Sequence, residues 1–171
     1  MAITGITFEN QVPTAKGLRG GFKSALSDGI VGGCAITYSG LNVTIGSGLI
    51  NIAGGIFQIS GTEIISVSGS SAFVRIKAKI DMSRASTVSE FSRVTFEADS
   101  ASSANGFTEL VQEDINTGTG TIYEAEICVV AIANGAISGI VRSAKSAAKI
   151  QYGDVLPEDA PEGTIFLLKV T

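Results

Sequence analysis

Glu124 and Glu126 stand two apart in the run IYEAEICVVAIA. On a strand that spacing puts both carboxylates on one face. Paired carboxylates are the working groups of most glycoside hydrolases, one as acid and the other as base or nucleophile. The competing reading is cross-strand charge. The stretch AFVRIKAKI alternates Val74, Ile76, Ala78 and Ile80 with Arg75, Lys77 and Lys79, so one face of that strand carries three cations. Like charges two apart repel, and acids on neighbouring strands offset this. We expect Glu124, Glu126 or Glu97 to be those acids, which makes the Arg75/Lys77/Lys79 face a paired surface and not a nucleic-acid site.

Other chemistry is sparser. The chain has no histidine, which removes the His-based triad, the imidazole base and the His metal ligand together. Gly17-Leu18-Arg19-Gly20-Gly21-Phe22-Lys23-Ser24 resembles a phosphate-binding loop in outline, but Phe22 stands where that loop requires glycine before the lysine. It reads as a glycine-loosened helix start. The acidic runs 112–114 and 158–162 lack the glycine-bearing spacing of a calcium loop and read as solvated loops. Asn42-Val43-Thr44 has the letters of a glycosylation sequon but sits in an expected strand. Tyr38, Tyr123 and Tyr152 are widely separated and tryptophan is absent, which gives a sugar-stacking platform little to work with. Cys34 and Cys128 lie among apolar neighbours and read as buried free thiols. No catalytic, cofactor-binding or metal-ligating residue is assigned, no cofactor is expected, and the chain reads as non-enzymatic.

The composition fits this. Of 171 residues, 44% are hydrophobic and 16% charged, with a net charge of −4. Twelve Lys and Arg spread along an acidic chain do not make the concentrated basic footprint of a nucleic-acid binder. The longest apolar run, 127–133, is far short of the roughly 20 residues of a spanning helix, so no membrane insertion is expected. The opening MAITGITFEN has neither a basic nor an apolar leader region, and folding in the cytoplasm is the expectation.

The elements that must hold these side chains are mostly short strands. Residues 1–15 read as an extended arm with Ile3, Ile6 and Phe8 ahead of Pro13. Residues 16–29 contain the one helix, with Phe22, Ala25 and Leu26 on a common apolar face and Gly29 as its stop. From Ile30 the period is two. Strands are expected near 33–38, 41–46, 49–53, 56–60, 62–68, 72–80, 91–98, 107–113, 121–133, 136–142 and 164–170. Between them lie turns such as Ser39-Gly40, Gly54-Gly55 and Asn134-Gly135, where tight hairpins want positive φ. Loops are expected at 83–90 and 99–106, and a connector at 143–149. The fold class is therefore an all-β, antiparallel sandwich or barrel of about ten short strands with one short N-terminal helix. Residues 16–171 form a single β-rich domain, of which 143–171 is a possible C-terminal appendage.

Some stretches carry a family likeness. Ser24-Ala25-Leu26-Ser27-Asp28-Gly29-Ile30-Val31-Gly32-Gly33-Cys34, followed by Leu41-Asn42-Val43-Thr44-Ile45, resembles the opening of tail-associated proteins of bacteriophages and prophages. Leu110-Val111-Gln112-Glu113-Asp114-Ile115 and Gly120-Thr121-Ile122-Tyr123-Glu124 resemble the second half of such proteins. Tyr152-Gly153-Asp154-Val155-Leu156-Pro157 and Gly163-Thr164-Ile165-Phe166-Leu167 are similar to their C-terminal segments. The resemblance implies a baseplate or tail-fibre component of the virion tail, assembled in the host cytoplasm and working through contacts with other tail proteins. The alternative is a receptor- or carbohydrate-binding module of the tail tip, with a host surface receptor as partner. Independently, the apolar excess over charge predicts a homo-oligomer, because monomers seldom expose large apolar patches. That it is a trimer is implied by the resemblance alone.

Overall fold

The alternation of apolar and polar residues is broken wherever the backbone must turn with positive φ, and those breaks set the architecture. The computed structural model describes residues 15–86, 92–146, 150–153 and 165–168, the last two stretches as backbone only. The expected arm 1–15 lies outside the described residues except for Ala15, as do 158–162 and most of the expected appendage.

Among the described residues, one helix, α1 (Ala15–Ala25), precedes the strands. β1 (Gly29–Gly33), β4 (Gly48–Ile52) and β5 (Gly55–Ile59) form one antiparallel sheet in the order β1-β4-β5. β2 (Ile36–Ser39), β3 (Asn42–Ile45) and β6 (Glu63–Ser66) form a second, ordered β2-β3-β6. The third holds the long strands β7 (Ala72–Asp81), β8 (Val94–Ala101), β9 (Ile122–Ala133) and β10 (Ala136–Ser143), ordered β10-β9-β7-β8. The chain is all-β and sandwich-like with one short helix, as the period-two pattern requires. Among the described residues the pairing departs from the antiparallel expectation where β11 (Ile150–Gly153) and β12 (Ile165–Leu168) pair in parallel and at the parallel bridge between Ile30 and Lys145.

A single core joins the three antiparallel sheets. Val43 and Ile45 of β3, Ile50 and Ile52 of β4, Val74, Ile76 and Ile80 of β7, and Ile127 and Val130 of β9 are all at or below 2% exposure. The long strand β9 reaches this core on both parities because it carries a bulge. Cys128 pairs with Ile76 but the next pair along is Glu126 with Lys77, so Ile127 is the extra residue. Tyr123 and Ala125 therefore face inward before the bulge, and Cys128, Val130 and Ile132 after it.

Several element boundaries correct the reading from sequence. The expected strand 33–38 starts late, as β2 from Ile36, and Gly29–Gly33 forms a separate strand, β1, that was not expected; Gly33 (φ 68) and Cys34 (φ 50) turn the chain between the two sheets. The turn after β4 is centred on Ala53 (φ 50) and Gly54 (φ 80), not on Gly54-Gly55, and Gly55 begins β5. β8 runs three residues past the expected 91–98, into what was expected to be loop. Gly29 does not cap the helix; α1 ends at Ala25, and Gly29 opens β1.

Candidate interaction surface

The two glutamates are fully engaged. Lys77 Nζ lies 2.7 Å from Glu124 Oε1 and 3.9 Å from Glu97, while Lys79 Nζ lies 3.1 Å from Glu97. Glu126 pairs with Arg142 of β10 at 2.6 and 2.9 Å, a two-pronged contact. Arg75 pairs with Asp99, a partner the sequence did not single out although Asp99 is directly opposite it in register. The charged face is thus a lattice of cross-strand pairs, as expected of Arg75, Lys77 and Lys79.

Residues 104–113 explain why part of this face is buried. They were expected to hold a strand. Only 111–113 of the expected 107–113 pair as a strand would, with the start of β9, through the Glu113 N–H to the Ile122 carbonyl at 3.1 Å and the Glu124 N–H to the Val111 carbonyl at 2.7 Å; the rest crosses the charged face as an irregular strap. Arg75 donates to the Thr108 carbonyl at 2.8 Å and its guanidinium sits 4.9 Å from the Phe107 ring centroid. Arg142 donates to the Ala104 carbonyl at 2.7 Å. The Val111 N–H donates to Glu124 Oε2 at 3.0 Å. Arg75 and Glu124 are consequently only 6% and 5% exposed. Burial alone would push the Glu124 carboxyl up. The hydrogen bonds from Lys77 and the Val111 N–H, with the charges of Lys77 and Lys79, outweigh it and hold the carboxyl below the usual range.

The remaining sequence candidates are structural. Glu113 accepts the N–H groups of Thr121 and Ile122. Asp114 accepts from the Thr117 hydroxyl and from the N–H groups of Thr117 and Asn116, which together hold its carboxyl down to about 2. Among the described residues no group of three or more acidic or thiol side chains could hold a metal. Tyr123 is buried and donates to Asp28 Oδ2 at 2.8 Å, Tyr38 is exposed, and the Tyr152 side chain lies outside the described residues. Asn42 accepts a hydrogen bond from Ser66 in the β3–β6 pair. Among the described residues no helix is long and apolar enough to cross a membrane.

Cys34 and Cys128 are free and buried. Burial, helped by the charge of Glu126, pushes the Cys128 thiol up to about 12, and burial raises Cys34 as well. Neither presents a thiolate at neutral pH. Thiol titration of native protein should therefore show almost no reaction, and two thiols per chain once denaturant is added. Rapid labelling of either residue in native protein would contradict this.

The phosphate-loop lookalike lies in α1, and two of that helix's apolar side chains face outward. Leu18 and Phe22 are 45% and 46% exposed. The helix rests on the other side of its cylinder. Gly54 lies so close that an added Cβ would strike the Arg19 carbonyl oxygen and come within 2.5 Å of Lys23 N. Arg19 donates to Asn116 Oδ1 at 3.1 Å, and the Lys23 ammonium sits 4.9 Å from the Tyr123 ring centroid. Asn116 in turn donates to the Ala53 carbonyl at 2.8 Å, and Asp28 accepts the Ala53 N–H at 2.7 Å. This network anchors the positive-φ turn beneath the helix.

Turning the helix this way opens a groove of about 320 Å³ between α1 and β5. Leu18, Phe22, Ile56, Phe57, Met82 and Ile115 supply its apolar lining. A second cleft of about 420 Å³ meets it at Phe57 and runs between β5, β6 and β8 past Ile64, which is 65% exposed. The edge strand β5 thus has an apolar trough beside it, and among the described residues no strand pairs with its far side. The sequence marked the apolar residues of α1 but carried no signal for their outward direction. No protein-family model and no curated protein matches the chain.

Proposed function

We propose that this chain is a structural component of a phage or phage-derived tail, in the baseplate or a tail fibre, acting by assembly with copies of itself and with other tail proteins. The observation that carries the assembly reading is the exposed apolar groove lined by Leu18, Phe22, Ile56, Phe57 and Met82. Contiguous apolar surface of this kind marks interfaces. The placement in a tail rests on the resemblance. Its quoted stretches fall on architecture: residues 24–34 end the helix and form β1, residues 41–45 form β3, and residues 110–115 and 120–124 make the strap and enter β9. The side chains with catalytic potential support the non-enzymatic reading, since Glu124 and Glu126 are each held by a cation. In this role the chain resides in the virion tail.

The expected result is a homo-oligomer at micromolar concentration, with a mass by light scattering near three times the 17.5 kDa of the chain. A monodisperse monomer would defeat the assembly reading. A dimer or hexamer would defeat the trimer and leave burial of the trough standing. The alternative, a receptor- or sugar-binding module, predicts signal on a glycan array from protein that does not self-associate.

A further inference from the structure

We infer that the trough between α1 and β5 is filled by residues 1–14 of a neighbouring copy, so that each chain gives one arm and receives one. The inference rests on the assembly reading above and names its partner.

The acceptor is built for an extended apolar segment of weak negative charge. β5 is an edge strand, and an added strand can take up its open backbone groups as in strand addition. Its neighbours Leu18, Phe22 and Phe57 offer an apolar wall. Arg19 and Arg93 also line the groove, and the lining holds no carboxylate. The donor matches on each count. The sequence MAITGITFENQVPT places Ile6 and Phe8 two apart, on one face of an extended chain, and Glu9 is its single charged side chain.

Where the arm ends decides between its own groove and a neighbour's. The arm joins the helix at Ala15, itself in the groove lining. Leu18 and Phe22 lie beyond that point along the helix, Phe22 by about 10 Å at 1.5 Å per residue. To cover them in its own chain, the arm would have to double back between Pro13 and Ala15. Pro13 has a fixed φ and Val12 before it favours extended conformations, both of which disfavour so sharp a reversal. Fourteen extended residues reach on the order of 46 Å, enough to cross to a neighbouring molecule. Donor arm and acceptor groove are different patches, which makes the contact heterologous. Such contacts close into rings when the rotation permits, and a ring of three fits the trimer proposed above.

Three full-length variants test this by light scattering, with circular dichroism to confirm the fold. Ile6→Asp/Phe8→Asp alters only the donor and Phe22→Asp only the acceptor, at an exposed position. Each is expected to raise the concentration at half-assembly by at least about tenfold, from the loss of one or two buried apolar side chains. Phe8→Cys/Phe22→Cys is run on a non-reducing gel after mild oxidation, with the native thiols buried. Disulfide-linked dimers and trimers are expected. If both Asp variants assemble like the parent, the arm is not the occupant, although the assembly reading survives. A monomer with an internal disulfide places the arm in its own groove and overturns the exchange. A parent chain that is monomeric throughout removes the assembly reading itself.

Discussion

Replacing Gly54 with alanine is expected to be the most damaging single-methyl change in the protein. Gly54 holds φ +80, which a side chain adopts at a cost, and its added Cβ would meet the Arg19 carbonyl and the Lys23 N–H. Those are main-chain atoms of α1 and cannot swing aside as a flexible side chain would. Left-handed strain and overpacking together cost roughly 2–6 kcal/mol. Gly40 supplies the control. It also has positive φ, 57, but an added Cβ there meets nothing within 4 Å, so Gly40→Ala should cost only about 1–2 kcal/mol. Urea denaturation of both variants is the measurement. If their losses agree within error, α1 is not held tightly on the turn, and the outward placement of Leu18 and Phe22 loses its physical cause.

Glu124→Ala should rank next, with a loss of roughly 3–5 kcal/mol as expected when one partner of a buried pair is removed. The side chains of Lys77 and Glu124 are 15% and 6% exposed, so solvent screens their interaction little. Truncation strands the Lys77 ammonium, with only the longer contact to Glu97 in reserve, and frees the Val111 N–H that the strap places on the carboxylate. Lys79→Ala, by contrast, removes a pair whose carboxylate is 38% exposed and should cost under about 1 kcal/mol. The pH dependence has a defined sign. The folded Glu124 carboxyl lies below its ordinary value. Its contribution is therefore complete above the unfolded value of about 4.3 and is lost as pH falls through the lower folded one. The stability gap between parent and Glu124→Gln should be constant from pH 7 down to about 5 and close below about 4. A gap that persists unchanged in acid would mean that Glu124 is not ionised in the fold.

These two sites show what can be read from letters and what cannot. β7 was legible residue by residue because its alternation is strict, and its charges announced their partners by sign. β9 was legible in extent, but its bulge at Ile127 was hidden, since the apolar run ICVVAIA fits either parity. Residues 107–113 alternate like a strand, yet only 111–113 pair edge to edge, with the start of β9, while 107 and 108 lie across Arg75 on the charged face. Alternation reports that a segment lies on a surface, without saying whether it pairs edge to edge or lies across. The helix is the sharpest case. Leu18 and Phe22 share a face with the helical period, and periodicity marks an apolar stripe without naming what covers it. The cause of its outward turn is the close approach at Gly54, a contact between residues far apart in the chain.

The edge of the first sheet bears on how the protein is made. Ile30 donates its N–H to the Ala144 carbonyl at 2.8 Å, and its own carbonyl accepts from Ser146 N at 2.8 Å. Ser146 also reaches the Ser27 carbonyl, 119 positions earlier in the chain. On a ribosome, β1, β4 and β5 are synthesised long before residues 144–146 exist to close that edge. Translation at roughly 5–20 residues per second, from the end of β5 to Ser146, leaves the edge open for about 4–17 seconds. Through that interval the nascent chain presents an unpaired strand to every neighbouring polysome product, a hazard that grows with expression rate. Slowing synthesis, by lower temperature or a weaker promoter, should therefore raise the soluble yield of this chain more than it would for a fold whose strands pair in the order they emerge.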